Sequence, residues 1–120
     1  MVIAYWIVAG ITAALFLAAG IIKLVRPKDA LATTMRWVED FSQPQVRLIA
    51  AAEVLGALGL VLPIATGIVP ILAPIAAVAL AVLMVGAAVT HLRRHEPPIP
   101  LVLLALATAS AVLGFLLVFS

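Results

Sequence analysis

Arg47-Leu-Ile-Ala-Ala-Ala-Glu53-Val-Leu-Gly56-Ala-Leu-Gly59-Leu-Val-Leu-Pro63 is an apolar run with one carboxylate inside it. Read as a helix that crosses a bilayer, it places Glu53 well within hydrocarbon. A charge near the centre of such a helix costs about 2.5–3.5 kcal/mol on insertion scales. Glu53 must therefore be paired, protonated or put to use, and the rest of the chain has to supply the means.

The composition supports a membrane reading. Hydrophobic residues make up 67% of the 120 and charged residues only 10%, far from the balance of a soluble domain. Four apolar segments, at about 3–25, 46–65, 71–92 and 99–119, each approach the roughly 20 residues that a helix needs to cross about 30 Å of hydrocarbon. The runs are unbroken rather than alternating, which disfavours membrane strands. The expected fold is an all-α membrane protein, a four-transmembrane-helix bundle forming a single domain over residues 1–120. No room remains for a soluble catalytic domain. With no cysteine, the chain carries no thiol redox chemistry, no disulfide and no cysteine-held iron-sulfur cluster.

Between the first two spans, Arg26-Pro27 ends one helix because proline disfavours helical backbone in the residue before it. Asp29 can cap a second element over about 30–41. There Leu31, Met35, Val38 and Phe41 share one face, and Thr33, Arg36 and Asp40 the other. This pattern predicts a short interfacial amphipathic helix lying on lipid, with Trp37 as an anchor. Ser42-Gln43-Pro44 closes the loop. Tyr5 and Trp6 sit where aromatic side chains mark the opposite interface. Small residues four apart predict close helix contacts: Gly10, Ala14 and Ala18 with Phe16 and Gly20 beside them, and Ala107 with Ala111 and Ser110 with Gly114 in the last span.

All seven Lys and Arg residues belong to two loops and their flanks: Lys23, Arg26, Lys28, Arg36 and Arg47 around the first, Arg93 and Arg94 in the third. The positive-inside rule makes these loops, about 26–45 and 93–98, cytoplasmic and puts both termini outside. The first span has its charges after it and none before, the order of a retained helix rather than a cleaved signal. The basic residues read as topology signals and contacts to anionic lipids, so no nucleic-acid partner is expected.

Three polar side chains enter the helices from the basic face: Lys23, Glu53 and His91. Side chains tilt toward the N-terminus of their own helix. Lys23 and His91 therefore lean into the membrane and Glu53 leans back toward the basic face, so the three can meet. Arg47 is a weaker partner, lying about 120° around the helix from Glu53. Lys23, Glu53 and His91 are candidates for a polar pocket that holds a quinone or lipid headgroup. The simpler alternative is that Lys23 and His91 snorkel to the headgroups and Glu53 pairs with one of them as a structural bridge; a subunit contact is a third. Haem is disfavoured because His91 and His95 share one helix end. Zinc at His91, His95 and Glu96 is disfavoured by Arg93 and Arg94 beside them.

The pieces Ala19-Gly20-Ile-Ile-Lys23-Leu, Arg47 with Glu53-Val-Leu-Gly56-Ala-Leu-Gly59-Leu and Pro63, Pro74-Ile-Ala-Ala, and His91-Leu-Arg93-Arg94-His-Glu96 occur in this order. In them the chain resembles the DoxX-like family of small bacterial membrane proteins. Pro98-Ile99-Pro100 stands where that family commonly has a polar residue, often asparagine. The resemblance implies a four-helix bundle in the bacterial inner membrane. It also implies association with quinone-reducing thiosulfate oxidation or with oxidative-stress and sulfur-handling enzymes. The expected function is that of an accessory or scaffold protein of a membrane-associated redox or stress-response complex, without activity of its own. Its expected partners are membrane lipids and either a protein partner or further copies of the chain. A quinone- or lipid-binding redox subunit is the alternative, and a small-molecule transporter acting as an oligomer is a third reading.

Overall fold

A computed structural model describes residues 1–31, 35–97 and 99–120. Four long helices form the bundle: α1 (Val2–Val25), α3 (Gln43–Thr66), α4 (Leu72–Arg93) and α5 (Pro100–Val118). A four-residue helix, α2 (Lys28–Leu31), and a 3-10 helix (Arg36–Asp40) lie between α1 and α3. All four long helices have the length and apolar character of membrane spans. The helix ends lie within three residues of the ends of the four apolar segments. The largest difference is at the start of α3, where Ser42 does more than close a loop. Its hydroxyl accepts from the Gln45 backbone N–H at 3.3 Å, and the Gln45 side chain accepts from the Ser42 N–H at 2.8 Å. This reciprocal cap, with Pro44 in the first turn, starts the helix three residues before the apolar run.

The helices form a closed ring in which α1 and α4 each pack against both α3 and α5. Neighbours run antiparallel, an up-down-up-down arrangement. Large apolar side chains also cover the outside: Ile3 is 76% exposed, Leu48 71% and Val82 66%. A helix that is apolar all round is stable in water only when buried, so the bilayer must cover this outer surface.

The inward face of α1 is Tyr5, Ala9, Thr12, Ala13, Phe16, Gly20 and Lys23. This corrects two expectations. Tyr5 is fully buried, and its hydroxyl donates to the Leu60 carbonyl on α3 at 2.5 Å rather than reaching an interface. Ala14 and Ala18 point outward, and nothing lies within 4 Å of a Cβ built on Gly10. The small residues that bring helices together are others. A Cβ on Gly20 would stand 2.7 Å from Val54 Cγ2 and 2.9 Å from the Ala50 carbonyl oxygen; one on Gly59 would stand 2.7 Å from Ala76 Cβ. In the last span, Ala107, Ser110, Ala111 and Gly114 are buried as expected, with the Ser110 hydroxyl 3.2 Å from that of Thr12 on α1.

The connection between α1 and α3 also departs from expectation. In place of one helix over 30–41, the described parts are α2 and the 3-10 helix, and residues 32–34, Thr33 included, lie outside the described residues. Asp29 falls within the first turn of α2 rather than capping it. The predicted apolar face is present but turned onto protein: Leu31, Val38 and Val46 are buried together, with Met35, Trp37 and Phe41 against them. Pairing with Val46 buries Leu31 and Val38 and leaves Met35 and Phe41 half-buried.

The Gly20 contact gives a direct test. Gly20→Ala should cost about 1–3 kcal/mol, because the obstructing oxygen is backbone and cannot rotate away. Gly10→Ala should be neutral or stabilising by about 0.5–1 kcal/mol through helix propensity. Thermal unfolding in detergent, followed by circular dichroism, measures both. Equal stabilities would mean that α1 and α3 do not approach this closely.

Candidate functional site

Lys23 lies two residues before the end of α1, and Glu53 lies ten residues into α3. Gly20 lets the two helices come close enough for the side chains to join. Lys23 Nζ donates to Glu53 Oε1 at 2.5 Å, with Lys23 7% exposed and Glu53 fully buried. Opposite lean of the two side chains closes the depth gap between them, as expected from helix direction. Arg47 is exposed and takes no part in the pair.

The Lys23 ammonium has a second neighbour. Its Nζ lies 5.3 Å from the centroid of the Trp37 ring, within the range of a cation–π contact. Trp37 in turn faces His91, with ring centroids 6.4 Å apart. The expected meeting of three side chains thus becomes a Lys23–Glu53 pair with His91 alongside, joined through an indole. Glu53 Oε2 and His91 Nδ1 are both buried without a hydrogen-bond partner among the described residues. Buried polar atoms are ordinarily bonded, and one left open marks a place for water, an ion or a ligand.

Both atoms belong to residues that line a cavity of about 340 Å³ between α3 and α4, together with Lys23, Trp37 and apolar side chains such as Ile49, Leu83 and Met84. That volume falls within the range of small-molecule sites, and the mixture of apolar wall and a few convergent polar groups is typical of them. A second cavity of about 260 Å³ shares Lys23, Trp37, Glu53 and His91 but opens toward Arg36, Glu96 and Pro100. The polar cluster therefore stands between two largely apolar cavities, the second of which also has Arg36 and Glu96 in its wall. Among the described residues, no group of three or more His, Cys, Asp or Glu is placed to hold a metal ion.

Trp37 is held over the cluster by charges outside the spans. Arg94, which caps α4, donates to Asp40 at 2.7 Å and to Glu96 at 2.9 Å, and lies 3.6 Å from Glu39. The hydrogen bond to Glu96 and the nearby Asp40 carboxylate push the guanidinium pKa above its ordinary value. Asp40 and Glu39 are in the 3-10 helix, so this clamp ties the segment carrying Trp37 to the end of α4. The sequence reading missed these roles: Arg94 registered only as a topology charge and Trp37 only as an anchor. The Asp40–Arg94 bond spans 54 residues, beyond any local signal.

A ring of four membrane-length helices enclosing a buried ion pair and an apolar chamber defines a small multi-pass membrane protein with an internal polar site. The chain belongs to the DoxX-like family, whose pattern it matches over residues 7–113. No curated protein and no solved structure matches it.

Removing one member of a buried pair leaves the other charge uncompensated, which costs about 3–5 kcal/mol, whereas an apolar pair of similar volume is often neutral or stabilising. Lys23→Met alone should therefore destabilise the protein by that amount, and Lys23→Met combined with Glu53→Leu should recover most of the loss. Thermal unfolding of the two variants tests this, and a harmless single substitution would show that the pair carries no charge. For the clamp, Arg94→Gln should shift Trp37 emission to the red in a Trp6→Phe background, while Arg93→Gln, at an exposed position, should leave it unchanged. An unshifted spectrum in Arg94→Gln would mean that the clamp does not hold Trp37.

Proposed function

We propose that this protein is a bacterial inner-membrane accessory subunit that holds the headgroup of a quinone between Lys23, Glu53 and His91, with the basic loops cytoplasmic and both termini outside. The observation that carries this reading is the pair of unpartnered buried atoms, Glu53 Oε2 and His91 Nδ1, on residues lining one 340 Å³ cavity. A quinone carbonyl accepts hydrogen bonds, which the remaining Lys23 N–H groups can donate. A quinol hydroxyl donates them, and the open carboxylate oxygen or the imidazole can accept. The flat Trp37 face beside the cluster suits a planar ring. A phosphate headgroup fits less well, because an open carboxylate oxygen would repel it.

The absence of cysteine supports an accessory role: electrons reaching such a quinone would come from a protein partner. The seven basic residues at two loops support the orientation.

Binding is measurable through Trp37, with Trp6→Phe removing the other indole. Titration with a short-chain benzoquinone should quench Trp37 saturably. His91→Phe and Glu53→Gln should each weaken binding about tenfold, the loss of one buried hydrogen bond of about 1.4 kcal/mol. Thermal unfolding of each variant shows whether its fold is retained. Quenching that never saturates, or that is unchanged in folded His91→Phe, would overturn the reading.

A further inference from the structure

We infer that the seam between α3 and α4 holds the prenyl tail of the bound quinone, so that the site selects long-chain, membrane-resident quinones and admits them sideways from the bilayer. The inference rests on the headgroup reading above and adds the part of the ligand that reading leaves unplaced.

The headgroup cavity lies toward the basic end of the seam, at the level of Ile49 and Glu53 on α3 and of Met84 to His91 on α4. Directly beyond it, toward the middle of the bundle, a groove of about 420 Å³ runs between the same two helices. Leu83 lines both, so the two spaces adjoin at that side chain. From Leu83 to Ala76, seven residues along α4, the groove extends about 10 Å. No polar side chain lines it among the described residues.

Small residues create the recess. Gly56 on α3 lets Leu80 of α4 pack against the α3 backbone, where a Cβ would stand 2.5 Å from Leu80 Cδ2, and this contact forms the floor of the groove. Ala52 and Ala79 form exposed parts of the lining, and Leu55 and Val82 flank it as exposed ridges. The groove thus opens sideways onto the surface that a bilayer covers.

The alternatives for a tail are unfavourable. The second cavity has an apolar wall of Met35, Ile99 and Leu103 but also carries Arg36 and Glu96, and apolar chain laid against those charges would cost their solvation. Trp37 and Phe41, packed edge to face with centroids 5.6 Å apart, occupy the side of the chamber formed by residues 35–41, the strap between α1 and α3. An apolar tail attached to a ring in the cavity therefore finds in the α3–α4 seam the path that no charged side chain lines among the described residues.

The test uses two ligands with the same benzoquinone head, one bearing a methyl group and one a long prenyl chain, titrated against Trp37 in the full-length Trp6→Phe protein in nanodiscs. Long-chain quinone should bind about tenfold or more tightly relative to its membrane concentration. Ala79→Phe, which fills the groove from an exposed position, should remove that advantage and leave short-chain binding unchanged. Ala105→Phe, exposed on α5, should change neither. If the advantage persists in Ala79→Phe while the short ligand still binds, the tail lies elsewhere and this inference fails alone. Equal binding of both ligands in the unsubstituted protein would also overturn it. If the short ligand fails to bind at all, the headgroup reading fails, and the tail assignment with it.

Discussion

The Lys23–Glu53 ion pair is the constraint around which this bundle is arranged. Two charges taken out of water are held only if their geometry is good and their surroundings close tightly. The chain meets the first condition by the opposed lean of side chains on antiparallel helices. It meets the second with Gly20, which lets α1 rest on the Ala50 carbonyl and Val54, and with Ala50 and Ala57, which keep the α3 face low on either side of Glu53. A larger side chain at Gly20 would part the helices at the level where the ions must meet.

The pair also explains the asymmetry of the bundle along its axis. Away from it, contacts are apolar or neutral: the Tyr5 hydroxyl on the Leu60 carbonyl, Thr12 against Ser110, and Pro74 beside Gly114. At the basic end, space opens between α3 and α4 because Gly86, Ala87 and Thr90 offer little bulk opposite Glu53. The strap then covers what the helices leave open, with Trp37 over the ammonium and Arg94 holding the strap from outside. Exposed ion pairs contribute little singly, but Arg94 engages three carboxylates at once. The cover is thus fastened by charges at its rim as well as by the packing of Leu31 and Val38 on Val46.

Much of this was legible in the chain because a bilayer imposes a simple code. Every backbone group inside it must be satisfied within its own helix, so length and hydropathy alone locate the spans. The Lys23–Glu53 encounter was also legible, since depth and tilt follow from helix direction and position. Periodicity failed on the helix faces. In α1, Gly10, Ala14 and Ala18 match the spacing of a packing stripe as well as the true inward face does, and where nearly every residue is apolar no hydrophilic face marks the outside. The strap was misread for another reason: apolar spacing through Leu31, Met35, Val38 and Phe41 suits a long helix on lipid, yet Val46 and the ends of the spans were near enough to take those side chains instead.

What the sequence by itself determined is the number and length of the spans, the common end of the basic residues, and the requirement that Glu53 find a cation. These follow from local chemistry read one helix at a time. Only the tertiary structure decided that His91 stands beside the pair rather than in it, that Trp37 bridges them, that Arg94 fastens the strap, and that two atoms are left open on one cavity. Each of these depends on the rotation of one helix about its axis relative to its neighbours. In a chain apolar on all sides, that rotation is set by the interlocking of small and large side chains across helices, which no single stretch of sequence contains.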